Sequence, residues 1–269
     1  MAYRSSRRVA GYVGIASAFS VIAFSATFAA TSSIIVNMDL SRSFATRSPW
    51  HLVGEQGAPI PDDGVGPVPG VIRLCLKKKP HGTCDIAVEG MPTPAGASGD
   101  EWGAHYLRSA EVAYPLGKSA GPVLLLRTAS WPSLNGDQGE FTQILAYRQA
   151  TDTFVPIYKF VSGHNENQET RFVFSGKLGG DVISAVPTEN APFGYWITVN
   201  RLGPNYKYRQ VLSYRSATRY GDNNQMPVID SEMPNIQRRL GLWRPGMPLP
   251  LPAHGCAKPR LIKTELWCS

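Results

Sequence analysis

Gln143-Ile144-Leu145-Ala146-Tyr147-Arg148-Gln149-Ala150-Thr151 returns, 67 residues further on, as Gln210-Val211-Leu212-Ser213-Tyr214-Arg215-Ser216-Ala217-Thr218, with six of the nine positions identical. Each copy follows an aromatic-rich, strand-like run. Each then leads through a polar turn into a short apolar segment, Val155-Pro156-Ile157 in one case and Pro227-Val228-Ile229 in the other. Recurrence at a fixed offset is the mark of one supersecondary unit used twice. Each unit reads as a β-hairpin with a following strand, and two units are too few to close a propeller. The expectation is a mainly β protein: an antiparallel meander sheet or a two-sheet sandwich, with an internal duplication.

The flanking sequence extends the same pattern. Short runs rich in Val, Ile, Phe, Tyr and Trp, each ended by Gly, Pro, Asn or Asp, occupy residues 123–128, 141–148, 154–161, 170–174, 182–186, 195–200 and 206–214. The gaps are too short for the crossovers that parallel strands require, so neighbouring strands run antiparallel. One helix is expected near the C-terminus. Ser231 is placed to cap it, Glu232 suits its first turn, Arg238 and Arg239 suit its last, and Gly241 can end it. A Pro-rich passage and a final strand over residues 260–267 follow. The chain therefore divides into an N-terminal segment (1–30), a Pro/Gly-rich lead-in with a cysteine hairpin (31–105) and an antiparallel β domain (106–269).

Residues 1–30 have the layout of a secretory signal. Arg4, Arg7 and Arg8 precede a run from Val9 to Met38 without any charge. The apolar part is rich in Ala, Ser and Gly, which favours a cleaved signal, with cleavage near Ala30. Retention of residues 9–30 as an inner-membrane anchor is the alternative, because about 20 apolar residues span a bilayer. A periplasmic or secreted location is the expectation. The formal charge of +7 falls to +4 once those three arginines are removed, with 24 basic and 20 acidic residues left. The basic residues are scattered, and a nucleic-acid binder would concentrate them on one face. The densest group, Lys77-Lys78-Lys79, lies beside the turn Pro80-His81-Gly82.

The four cysteines fit an oxidising compartment. Four cysteines permit three pairings, and sequence alone does not choose among them. The local bridges Cys75–Cys84 and Cys256–Cys268 are favoured, the first across a turn and the second tying down the tail. A zinc site would bring ligands two to four residues apart, and these are more widely spaced.

Candidate chemistry is sparse. Gly117-Lys118-Ser119-Ala120-Gly121 has the letters of a nucleophile elbow. The elbow needs a strand before it and a helix after it, whereas Pro115 precedes this motif and Pro122 with an aliphatic strand follows. Asn135, Asp137 and Glu140 offer hard oxygen ligands without the spacing of a calcium loop. The histidines are not at metal-binding spacing, so no cofactor or metal is implied. The most polar loop contains His164, Asn165, Glu166, Asn167, Gln168 and Glu169 and ends at Arg171. A second, residues 221–225, holds Asn223 and Asn224. If both emerge at one edge, they make a shared polar surface, with Trp131 as the expected exposed aromatic. Amide loops flanked by aromatics suit a glycan, a peptide or a protein partner. Non-catalytic binding at the cell envelope is thus the first expectation. A hydrolase using His164 with Glu166 or Glu169, and Arg171 to hold an anion, is the alternative.

Overall fold

Val123-Leu124-Leu125-Leu126 has no polar break because the strand that contains it is covered on both faces. Leu124 and Leu126 enter one apolar core, and Val123 and Leu125 enter another. Strand side chains alternate between faces, so an unbroken apolar run signals a strand buried on both sides. The computed structural model describes residues 32–61, 66–92, 103–115, 121–132, 138–163, 167–189, 193–216 and 218–268. Residues 31–269 form one compact unit.

The first sheet comprises β1 (Ser33–Asp39), β2 (His51–Gln56), β3 (Ile72–Lys77) and β4 (Ile86–Val88), with the short helix α1 (Ser41–Phe44) after β1. The second comprises β5 (Tyr106–Ala113), β6 (Val123–Ala129), β7 (Glu140–Arg148) and β8 (Thr153–Ser162). The third comprises β9 (Glu169–Phe172), β10 (Val182–Pro187), β11 (Tyr195–Leu202) and β12 (Tyr208–Arg215). In all three, sequential strands are neighbours and antiparallel. Helix α2 (Val228–Arg239) and the hairpin β13 (Arg260–Ile262) and β14 (Glu265–Trp267) complete the fold. The protein is therefore mainly β and antiparallel, with one substantial helix near the C-terminus.

Three cores hold the layers together. Leu40, Trp50, Leu52, Leu74 and Leu76 of the first sheet region meet Leu124, Leu126, Leu145 and Phe154 of the second. On the reverse face of the second sheet, Val123, Leu125 and Ile144 meet Phe172 and Val182 of the third. The far face of the third sheet presents Ile183, Ala185, Ile197, Val199 and Tyr214 to Val228, Ile229 and Ile236 of α2. The second sheet is the central slab, and its β6 and β7 are the most continuously buried strands. The third sheet's covering is incomplete, because Trp196 of β11 is 50% exposed. Its place in a strand suggests a core residue. It lies instead on the side opposite Ile197 and Val199.

Several elements differ from the sequence reading. Residues 33–39 and 51–56 are strands, although the region reads as loop-rich lead-in; the Pro and Gly cluster lies between β2 and β3. The helix starts three residues before the expected cap. Ser231 is fully buried inside it, and Pro227 occupies the N-cap position without a side-chain cap. Glu169 of β9 supplies the missing acceptor, with its Oε1 taking the backbone N–H of Ile229. A carboxylate from another element thus satisfies an orphan donor at the positive end of the helix. Gly241 does end the helix, at φ +70° and with its N–H on the Arg238 carbonyl. The last stretch is two strands, because Lys263 takes a left-handed conformation at φ 58° and turns the chain.

Both disulfides are local: Cys75–Cys84, with Cα atoms 5.7 Å apart, and Cys256–Cys268, with Cα atoms 5.4 Å apart. The lysine-rich turn is partly internal to the fold. Lys77 pairs with Glu55 at 3.3 Å, and Lys78 lies 5.1 Å from the Trp50 ring centre and 3.5 Å from Asp152.

Candidate functional site

The chain leaving β12 cannot continue as a strand, because Thr218 turns inward to a buried carboxylate. Thr218 Oγ1 donates to Glu232 Oε1 at 2.7 Å, while Glu232 Oε2 accepts from Tyr214 at 2.6 Å and from Asn235 at 3.1 Å. Glu232 is fully buried, so these three donors are what make its burial tolerable. Burial raises the Tyr214 hydroxyl well above its ordinary range, and the facing Glu232 carboxylate adds to the shift. Arg239 lies 4.2 Å from the Tyr214 ring centre and brings positive charge to the other side.

From this anchor the loop 218–227 folds on its own polar side chains. Asp222 accepts the backbone N–H of Asn224 at 2.9 Å and of Arg219 at 3.3 Å. Asn224 Oδ1 accepts the N–H of Met226 at 3.2 Å. Asn224 Nδ2 donates to Ser231 Oγ at 2.9 Å and to the Leu266 carbonyl at 3.1 Å, which ties the loop to both α2 and β14. Gly221 and Asn223 take left-handed backbone conformations, at φ 77° and 67°. Such conformations are why Gly and Asn populate loops of this kind.

The result is a cleft of about 330 Å³ lined by this loop, by Tyr195 from β11 and by Asn167 from the connection between β8 and β9. Asn167 is itself left-handed, at φ 56°. The structure thus brings Asn167, Asn223 and Asn224 to one place, and Tyr220 stands beside them 49% exposed. Glu265 of β14 does not line the cleft and is 6% exposed. Burial pushes its carboxyl above the ordinary carboxylate range, reinforced by the like charges of Glu232 and Asp222 and opposed by Lys263. The cleft therefore offers planar amides, a carboxylate, the exposed Arg219 and an aromatic face. Groups of these kinds are chemically suited to hydrogen bonding and stacking. Asp222 is already engaged by two backbone donors and is not presented as a free base.

The remaining expected site residues have other positions. His164, Asn165 and Glu166 lie outside the described residues, as do segment 1–30, Gly117 to Ala120, Asn135 and Asp137. Arg171 does not line the cleft: its Nη2 donates to Glu169 at 2.9 Å and its Nη1 to Asp230. Glu169 has one oxygen on Arg171 and the other on the helix N-terminus, and burial raises its carboxyl despite the nearby guanidinium. This trio joins β9 to α2. Trp131 is half-buried, 5.8 Å from the His105 ring, and contributes nothing to the cleft. Glu140 pairs with Arg127 at 2.7 Å. Among the described residues, no cluster of three or more His, Cys, Asp or Glu side chains could hold a metal ion.

Tyr220 and Tyr195 escape the sequence reading. Tyr195 belongs to a strand whose pattern says core, and it is indeed fully buried while also bordering the cleft. Tyr220 abuts Gly221-Asp222-Asn223, and an aromatic beside a turn cluster is a signal that local sequence does carry. No protein-family model, curated protein or solved structure matches this chain, so its function is read from the cleft itself.

Proposed function

We propose that this chain is an exported binding protein of the cell envelope that takes a glycan into the cleft between the β8–β9 connection and the loop 218–227, without catalysing a reaction on it. The observation that carries this reading is the company Tyr220 keeps. An aromatic ring that is 49% exposed shares one cleft with Asn167, Asn223 and Asp222. A sugar ring has an apolar face of C–H groups and an edge of hydroxyls. An exposed aromatic covers the former, and amide and carboxylate groups satisfy the latter. The cleft volume lies at the small end of the usual range for ligand sites, roughly 300–1,000 Å³. Two disulfides and the charge layout of residues 1–30 support export, to the periplasm or beyond. Among the described residues no helix is long and apolar enough to cross a membrane.

A glycan array probed with the purified chain and with the Tyr220→Ala and Asn223→Ala variants tests the proposal. Binding to a defined set of glycans that both substitutions weaken at least tenfold supports it. Binding that survives both substitutions, or capture of peptides alone, overturns it.

A further inference from the structure

We infer that the glycan is a linear oligosaccharide carrying acetamido groups, and that it continues from the Tyr220 cleft across Gln225 and Met226 into a second subsite walled by the Cys256–Cys268 disulfide. This inference rests on the glycan reading above and makes it specific.

A second cleft, of about 370 Å³, is lined by Gln225, Met226, Pro227, His254, Ala257 and the two bridged cysteines, among others. Gln225 and Met226 line the first cleft as well. Gln225 and Met226 therefore form a wall common to the two clefts, which are neighbours on one surface. Each is small by the standard of ligand sites, and a ligand confined to either would leave the other wet.

The chemistry changes from one cleft to the next. The first is supplied with Asn167, Arg219, Asp222 and Asn223, groups that hydrogen-bond hydroxyls. The second is lined by Met226, Pro227, Ala257 and the bridged Cys256 and Cys268, with Gln225 and His254 as its polar side chains. A plain sugar ring offers such a wall only its C–H face, with no amide group to pair with Gln225 beside it. An acetamido substituent offers more, because its methyl packs against thioether, proline ring and disulfide while its amide pairs with the Gln225 side chain. The covalent bridge also matters mechanically. Cys256 and Cys268 bracket the tail whose β14 packs on α2, and Asn224 bonds to the Leu266 carbonyl within it. One wall of the second cleft and a tether of the loop lining the first thus belong to a single clamped segment.

Calorimetric titration with two oligosaccharide series tests this on the full chain. N-acetylglucosamine oligomers and glucose oligomers, both β-1,4-linked and each from monosaccharide to hexasaccharide, differ in the acetamido group alone. The expected result is affinity for the acetylated series that rises on the order of tenfold once the chain is long enough to enter the second cleft, the factor that one or two net hydrogen bonds supply. The glucose series should show no such step. Ala257→Trp, at an exposed position, should fill the second cleft and abolish the step while leaving affinity for the shortest binding oligomer unchanged. His254→Ala, also exposed, should reduce it. Acetylated oligomers that bind without dependence on length, a step that survives Ala257→Trp, or an equal step in the glucose series would each overturn the inference while leaving the Tyr220 cleft as a glycan site. No binding by either series also overturns it, and the array result then decides separately whether the glycan reading stands.

Discussion

The same nine-residue phrase serves two different mechanical purposes. In β7 it runs between β6 and β8; in β12 it lies at the edge of its sheet. Gln143 is 2% exposed and donates through its side chain to the Glu89 carbonyl, whereas Gln210 is exposed. Leu145 is buried and Leu212 half-buried. Ile144 pairs in regular register with Leu125, whereas the register of β12 against β11 skips Val211, which forms a bulge. Edge strands often carry such irregularities, which discourage further pairing. The tyrosines behave alike up to a point. Each hydroxyl donates to a carboxylate, Tyr147 to Asp152 at 2.7 Å and Tyr214 to Glu232 at 2.6 Å. Asp152 also accepts from Ser48 at 2.5 Å and from Trp50 at 3.0 Å, so the first copy clasps the first sheet to the second. Glu232 belongs to a helix, so the second copy clasps helix to sheet. The segments downstream of the two copies differ accordingly: Val155-Pro156-Ile157 continues into β8, and Pro227-Val228-Ile229 starts α2. Local sequence writes the strand and its tyrosine, and the neighbours decide what the tyrosine holds.

The sharpest way to break this comparison is at the two carboxylates. Glu232→Ala should destabilise the fold by about 3–5 kcal/mol, because three buried donors lose their acceptor at once. Asp152→Ala, at a site that water reaches, should cost less. Urea unfolding of both variants checks the order, and equal losses would mean the two clasps are equivalent. Next in size are the bridges. Cys256→Ser with Cys268→Ser should lower stability by about 2–3 kcal/mol for a loop of this length, and it should also weaken any ligand binding at the cleft. The Cys75 and Cys84 double variant should lower stability similarly and leave binding intact. Free-thiol titration of protein unfolded without reductant should find none, and four free thiols would remove the basis for both expectations. At the paired glutamines, Gln143→Ala should cost about 1–2 kcal/mol, because a buried side chain and its bond to the Glu89 carbonyl are lost, while Gln210→Ala should stay within about 0.5 kcal/mol as exposed positions do.

The smallest effect is in pH, and its sign differs between the carboxylate of the first clasp and Glu265 of β14. Hydrogen bonds from Ser48 and Tyr147, opposed by some desolvation, hold the Asp152 carboxyl well below its ordinary value of 3.8. Its contribution is complete above that value and fades as pH falls towards the lowered folded value. Burial raises Glu265 above its ordinary 4.5. Its contribution is greatest below that value and is lost as pH rises through the raised one. Stability curves of Asp152→Asn and Glu265→Gln against pH should therefore depart from the parent in opposite directions. Parallel departures would contradict the assignment of either group.

Much of this architecture is legible in the letters. All seven strands read between residues 123 and 214 are present within a few residues of their expected limits, because alternating aromatic and β-branched runs ended by Gly, Pro or Asn leave the backbone few options. Both favoured cysteine pairings form. The lead-in is harder to read. β1 is largely exposed along its length, with only Val36 and Met38 packed against the core, so its alternation is weak and pairing with β2 does much of the holding. The helix start escapes a local reading because its cap comes from Glu169, some 60 positions away in the chain, and no local window contains it. For the same reason Arg171 reads as an anion clamp. Its two carboxylate partners lie on different elements, and only their approach shows that it is already satisfied.

Two polar loops with asparagines at positions of left-handed backbone are apparent from composition. Their convergence is not. Asn167 and Asn223 meet because the second sheet stacks on the third and α2 folds back beneath the latter, a consequence of which apolar faces are buried together. Sequence alone determined the antiparallel strands, the local bridges and the polar character of the loops, since each depends on residues close together in the chain. Tertiary structure alone decided which copy of the repeated phrase became central and which became an edge, and where the cleft would open. Those outcomes depend on long-range burial, which selects among strand arrangements that local propensity leaves equally acceptable.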